Sequence, residues 1–282
     1  MKIATKKNIE SRMNIHQKID LIVERLEGYR LHNPQSAKLS YSGGRDSHLL
    51  LHIVRNVLRY SNSEFEAVYA RTFNEFKDIN DRILEQDVTM IDSGNNCIAL
   101  FEKYGVAVFS KDCSQNIEYA RYEDNEKGYI EKWTSKQGTQ WDYRKQYAWA
   151  NEFNVKCSAK CCIYLKDNHL KDAKIVGFRK SEKGRRNDGS SKNYEICVRD
   201  GKNLFRPIHD VNNSELAEME RVLGIENPNI YNYLDRTGCV MCGFGTKKQI
   251  KEKINYLRWY EPSRAKFYIK YFDKYLKFRK II

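Results

Sequence analysis

Two groups of residues in this sequence have the types and spacing to do chemistry. The first is Ser-Gly-Gly-Arg-Asp-Ser at 42–47, set between an apolar stretch and a run with helical spacing. Gly43 and Gly44 permit a tight turn that aims successive backbone N–H groups at one anion, and Ser42 and Ser47 add hydroxyl donors. The helix expected to follow presents a positively polarised N-terminus to the same anion. Asp46 is the odd member, because a carboxylate beside phosphates repels them. It suits a helix N-cap, or a contact to Mg²⁺ or to an attacking nucleophile. The plainer alternative is a strand-to-helix turn with an Asp cap. The loop is not a Walker A motif, lacking its spacing and lysine.

The second group is five of the eight cysteines. Cys157, Cys161 and Cys162 lie in "KCSAKCCIYLK", and Cys239 and Cys242 in "RTGCVMCGFG". A Cys-x-x-Cys between glycines, matched by a distant cysteine cluster, suits a four-thiolate metal site. Spacing alone favours zinc but does not separate it from iron–sulfur. It also leaves Cys157 with Cys162 as an alternative to Cys161 with Cys162. Cys97, Cys113 and Cys197 stand alone and read as small buried hydrophobes.

These groups must be positioned by elements that hydrophobic spacing outlines. Apolar residues at helical intervals (Ile15, Ile19, Ile22, Val23, Leu26) predict a helix over 14–32. "AKLSYS" reads as a buried strand and "HLLLHIVRNVLRYS" as the helix after the glycine loop. "FEAVYART" predicts a second strand, "KDINDRILEQDVTMIDS" a helix, "VAVFS" at 106–110 a third strand and "AKIVGFRK" at 173–180 a fourth. "YEICVRDGKNLFRPI" predicts a hairpin turning at Asp200-Gly201. Alternating strands and helices imply an α/β fold, a parallel twisted sheet flanked by helices. A helical insert is expected at about 113–155 and a C-terminal helical extension after 247. The expected organisation is a nucleotide-binding domain over 1–210, followed by a Cys-x-x-Cys and helical region over 211–282.

At 282 residues, with 12% aromatics, the chain can bury a core despite a hydrophobic content of only 41%. Fifty Lys and Arg against 37 Asp and Glu leave +13, which points to a polyanionic partner such as DNA or RNA. No apolar run reaches the length of a membrane span, and the first residues show no hydrophobic signal core, so a cytoplasmic protein with reduced cysteines is expected. "KGRRNDGSSK" could contact phosphates, while Trp133, Trp141, Tyr143 and Tyr147 could stack bases or pack the insert. In the tail, Tyr256, Trp259, Tyr260, Phe267, Tyr268 and Phe272 read as a core stripe.

The 42–47 hexapeptide resembles the SGGxDS signature of the PP-loop ATP pyrophosphatase superfamily, whose fold is adenine nucleotide alpha hydrolase-like. "IVGFRKSEKGRR" is similar to the GxRxxES…R segment of the phosphoadenosine phosphosulfate reductase family, with Lys183 where that family often has Ser. "RPIHDV" and "NPNIYNYLDRTGCVMC" resemble that family's Pro-(Ile/Leu)-x-Asp and Tyr…Arg-x-Gly-Cys-x-x-Cys elements. The likeness runs from about Lys38 to Gly245. It implies ATP with Mg²⁺ bound at Ser42, Gly43, Gly44, Asp46, Ser47, Gly177, Arg179 and Glu182. It gives the catalytic roles to Asp46, Arg179 and Arg186, and a [4Fe–4S] cluster, with zinc as the alternative, to Cys161, Cys162, Cys239 and Cys242.

Reductases of that family use a nucleophilic cysteine in a C-terminal segment, and here no cysteine follows Cys242. The set is therefore closest to the enzymes of DNA phosphorothioation and tRNA thiolation. The implied activity is adenylylation of a nucleic-acid oxygen with release of pyrophosphate, then sulfur insertion supported by a cysteine desulfurase or another sulfur donor. The alternatives are a sulfonucleotide reductase and a non-catalytic nucleotide- or nucleic-acid-binding protein with structural zinc.

Overall fold

The computed structural model describes residues 13–34, 37–122, 144–179, 196–199 and 202–282, the backbone alone at 196–199 and 202–203. In chain order the elements begin with helix α1 (Ile15–His32), strand β1 (Leu39–Ser40), helix α2 (Arg45–His52), strand β2 (Ala67–Arg71), helix α3 (Lys77–Leu84) and strand β3 (Thr89–Asp92). Helix α4 (Cys97–Tyr104), strand β4 (Val108–Phe109), helices α5 (Lys111–Tyr122) and α6 (Arg144–Glu152), and hairpin strands β5 (Ile196–Arg199) and β6 (Lys202–Phe205) follow. Helix α7 (Asn213–Val222), strand β7 (Gly243–Phe244) and helices α8 (Lys247–Tyr260), α9 (Pro262–Tyr271) and α10 (Asp273–Phe278) complete the chain. The fold is mixed α/β, with a small parallel sheet flanked by helices. No helix among the described residues is long and apolar enough to cross a membrane.

Residues divide into two compact units, one of 1–70, 79–91 and 170–228, the other of 71–78, 92–169 and 229–282. In the first, the β1-β2-β3 sheet pairs Leu39 with Ala67 in parallel. Single parallel bridges from Leu39 to Ile175 and from Ile175 to Phe205 continue the ladder to the β5–β6 hairpin. That hairpin forms as expected, closed by the Arg199–Lys202 pair. Helix α1 starts at an Asn14 cap that exchanges 3.0 Å hydrogen bonds with Gln17, and buries Ile19, Ile22 and Leu26. Each such side chain contributes about 1.5–3 kcal/mol when fully buried, so this stripe outweighs the cap.

Three strand expectations change. Residues 89–92, read as helix, form β3, whose side chains alternate between half-buried and exposed. Met90 and Ile91 are adjacent and fall on opposite faces, so four residues carry no apolar alternation to distinguish them from the end of a helix. "VAVFS" does not join that sheet: Val108 and Phe109 pair in parallel with Gly243 and Phe244 in the second unit. Among the described residues of the segment, 173–179, only Ile175 makes a ladder bridge. Gly177 explains part of this, because a Cβ there would lie 3.0 Å from the backbone of Asp46 and Ser47. The chain thus approaches α2 more closely there than a regular strand with side chains allows.

The second unit has its own core, in which Phe101, Val108, Trp149, Tyr268, Phe272 and Tyr275 are buried together. The tail's stripe is only partly as expected. Tyr256, Tyr268 and Phe272 are buried, whereas Trp259, Tyr260 and Phe267 are exposed. Of the insert aromatics, Tyr147 packs on this core, and Trp133, Trp141 and Tyr143 lie outside the described residues.

Candidate functional site

The glycine loop leaves β1 through buried Tyr41 and turns at Gly43, whose φ is +70°. A Cβ at Gly43 would come within 2.7 Å of Ile83 and 2.9 Å of Ile79, so both the conformation and the packing of α3 demand glycine. The two serines close the loop. Ser42 N–H donates to Ser47 Oγ at 3.1 Å, the two hydroxyls lie 3.0 Å apart, and Ser47 Oγ donates to Gly44 O at 3.1 Å. The result is a pre-shaped backbone turn at the start of α2, where helix N–H groups and dipole favour an anion.

Asp46 does not cap the helix: Gly44 is the N-cap residue, without a side-chain cap. The Asp46 carboxylate instead accepts a hydrogen bond from Arg179 Nε, and Arg179 Nη1 donates to Asn213 Oδ1 at 2.8 Å. The buried guanidinium offsets the carboxylate that would otherwise repel phosphates. Beside it, Arg45 Nε bonds both oxygens of the buried Glu220, at 2.9 and 3.1 Å. Gly177 packs on the Asp46–Ser47 backbone, so Ser42, Gly43, Gly44, Asp46, Ser47, Gly177 and Arg179 come together. Glu182, Lys183 and Arg186 lie outside the described residues.

Sequence reasoning missed two groups at this loop. Arg82 is buried, with Nη1 3.5 Å from Gly43 O and Nη2 2.9 Å from Glu226 O. Its signal was a cation on the apolar face of a short helix. His48 lies 3.1 Å from the Tyr41 hydroxyl. Burial, then the nearby Arg82 and His52 charges, pulls its pKa down to about 4.

In the second unit, Cys161 and Cys162 sit on a short helical turn, Lys160–Cys162, that runs into a π-helical segment, Ile163–Asp167. Cys239 and Cys242 flank a turn ahead of β7. These four thiols share one electrostatic neighbourhood. The Cys161 thiol hydrogen-bonds Cys162, which lowers the Cys162 pKa and raises that of Cys161. Cys242 is pushed up to about 12, chiefly by burial and partly by Cys162 and Cys239. Cys97, expected to be an isolated hydrophobe, is a fifth member, raised by burial and by Cys239, Cys242 and Cys162. Cys157 lies at a bridge to Val106 and beside Cys113, whose pKa is raised by burial first and then by Cys157. Cys113 is buried as expected, and the Cys197 side chain is not among those described.

The Cys239–Cys242 loop is held from two sides. Asn74, buried, accepts from Val240 N at 2.7 Å through its carbonyl and from Met241 N at 2.9 Å through Oδ1, while its amide donates to Cys97 Sγ at 3.4 Å. From the tail, the buried Lys253 ammonium bonds Cys242 O, the Tyr268 hydroxyl donates to the same oxygen at 3.2 Å, and Tyr275 donates to Gly243 O at 2.7 Å. Lys166 is a further cation, its pKa raised chiefly by Cys239. None of these anchors was foreseen, although Lys253 interrupts the apolar stripe Ile250–Ile254–Leu257, a visible signal in retrospect.

The donor chemistry is soft and suits a thiolate-bound metal or cluster. Among the described residues no group of three or more His, Cys, Asp or Glu side chains is arranged to hold a metal ion. No protein-family model and no curated protein matches the chain.

Proposed function

We propose that this chain is an ATP-binding PP-loop enzyme, similar to the phosphoadenosine phosphosulfate reductase family. On this reading it adenylylates a nucleic-acid oxygen and supports sulfur insertion through thiolate-bound iron–sulfur. The observation that carries the reading is the glycine loop. Gly43 at positive φ, the paired Ser42 and Ser47 hydroxyls and the α2 N-terminus make an anion cradle, backed by Gly177 and Arg179.

In this mechanism ATP is a substrate, with its phosphates on Ser42, Gly43, Gly44 and Ser47 and Mg²⁺ offsetting their charge. A nucleic-acid oxygen forms a bond to the α-phosphorus as the α–β anhydride breaks, and pyrophosphate leaves. Arg179 and Arg186 neutralise charge that builds on the phosphate oxygens. Asp46 keeps Arg179 oriented, and a metal contact would draw on its remaining lone pairs. A sulfur nucleophile from a donor such as a cysteine desulfurase then displaces AMP.

Cys161, Cys162, Cys239 and Cys242 would hold a [4Fe–4S] cluster, which would supply a soft site for sulfur. Lys166 lies beside the Cys239 thiol, Lys253 holds the Cys242 carbonyl, and the anchored 239–242 loop would orient two of the four ligands.

The test is pyrophosphate release from ATP and Mg²⁺, with and without DNA or RNA. Stimulated release supports the reading. No release with any nucleic acid, together with sulfite production from adenylylsulfate and a thiol donor, overturns it in favour of a sulfonucleotide reductase. Anaerobic purification tests the metal: a brown protein with a broad visible thiolate-to-iron band is expected, whereas a colourless protein carrying one zinc would replace the cluster by a structural site.

A further inference from the structure

The second unit contains an open cavity of about 620 Å³, whose walls include Phe73, Asn95, Asn96, Met241, Arg264 and Phe267. Phe73 and Phe267 are 60% and 47% exposed, two phenyl rings left to solvent at one cavity. Phe73 is held out deliberately. Its φ is +56°, a region that a bulky side chain rarely occupies. The turn around it is locked, because Thr72 Oγ1 donates to Glu75 Oε1 at 2.5 Å and Asn74 N–H donates to Glu75 Oε2 at 3.0 Å. Strain maintained by surrounding hydrogen bonds, on an exposed aromatic at a cavity, points to a binding role.

We propose that this cavity takes one unstacked base of a single-stranded nucleic acid, with the adjoining phosphates running over the basic C-terminal helices. The Arg71 guanidinium already lies 4.3 Å over the Phe73 ring, so a base on the opposite face extends an existing stack. Asn95, whose Nδ2 donates to Ser93 O at 2.8 Å, and Asn96, whose Oδ1 caps α4, line the wall where a base edge would sit, with the Asn95 oxygen as acceptor and the Asn96 amide nitrogen as donor toward it. The volume lies in the range of small-ligand sites, roughly 300–1,000 Å³, ample for a nucleoside.

Charge supplies the second argument. Residues 247–282 hold twelve Lys and Arg against three Asp and Glu, so most of the chain's excess of +13 resides there. Lys266 and Lys270, both exposed, flank Phe267 on α9. A polyanion drawn to these helices reaches the cavity mouth. Met241 lies between Cys239 and Cys242 and lines the same cavity, so a base held there brings its own sugar–phosphate close to the thiol cluster.

This inference rests on the nucleic-acid reading above, and binding measured without ATP separates the two. Fluorescein-labelled 12-mers of single-stranded DNA and RNA, and a matched duplex, are titrated by anisotropy. Phe73→Ala and Phe267→Ala are each expected to weaken single-strand binding about tenfold, with Phe73→Tyr binding like the original and duplex affinity little changed. Both rings are exposed, so an unchanged urea midpoint accompanies each variant. Single-strand affinity indifferent to both alanine variants, complete displacement of the strand by ATP alone, or no binding of any oligonucleotide overturns the proposal. If binding is indifferent to the rings while nucleic acid still stimulates pyrophosphate release, the cavity assignment falls and the proposed activity stands. If binding depends on the rings but no pyrophosphate is released, the reverse holds.

Discussion

The Asp46 carboxylate is held by Arg179 Nε across 133 residues of sequence, one residue from the serine that closes the glycine loop. The pair joins the two segments whose resemblance to the PP-loop family was carried by separate motifs. Of the readings open for Asp46 it sets aside the helix cap, and it makes the carboxylate the partner of a buried guanidinium.

Breaking that pair should be costly from either side, and the two losses should not add when both members go. Arg179→Ala is expected to destabilise the fold by about 3 kcal/mol, since it strands a partly buried carboxylate. The Asp46→Ala/Arg179→Ala double variant should lose less than the two single losses combined. Urea unfolding of the four proteins measures the coupling, and strict additivity would show that the contact contributes nothing.

Gly43 and Gly224 share a positive φ, +70° and +66°, but only Gly43 has neighbours where a Cβ would stand. Gly224→Ala should cost about 1 kcal/mol, the backbone contribution alone. Gly43→Ala adds overlap with Ile83 and Ile79 and should cost about 2–4 kcal/mol, with ATP affinity falling as well. Equal unfolding midpoints for the two variants would contradict the packing argument.

The cysteines fall into two electrostatic neighbourhoods, and the proposed cluster draws on one of them. Serine at Cys161, Cys162, Cys239 or Cys242 is expected to lower iron and sulfide content sharply in anaerobic protein. Serine at Cys157, which sits with Cys113, should leave that content intact. Elemental analysis of the five variants decides, and metal loss on Cys157→Ser would reassign the ligand set.

Acid should weaken the first unit through His48. Its folded pKa of about 4 lies below the ordinary imidazole value of 6.5, so the fold favours the neutral ring. The stability this represents is complete above about pH 6.5 and is lost as pH falls toward 4, by about 1–2 kcal/mol after allowance for partial exposure. His52, also lowered by burial, acts in the same direction. His48→Gln should flatten the stability profile between pH 4 and 6.5, and an unchanged slope would assign the acid sensitivity to other groups.

Local chemistry was legible from residue order alone. The Ser42–Ser47 loop, the α1 stripe of Ile19, Ile22 and Leu26 and the β5–β6 hairpin all depend on neighbours a few residues apart, whose preferences are written into adjacent side chains. What required tertiary structure were choices among distant partners. Val108 and Phe109 have strand character, yet only packing selects Gly243 and Phe244 as their ladder mates. Cys157 and Cys161 are equivalent by spacing, and only packing sets Cys157 at a bridge to Val106 beside Cys113 while Cys161 neighbours Cys162 and Cys242. The tail aromatics share one pattern, but helix contacts bury Tyr256 and Tyr268 and leave Trp259 and Phe267 exposed. Interleaving of the two compact units has the same origin, because sequence patterns report backbone preference while burial is decided by which distant surface arrives.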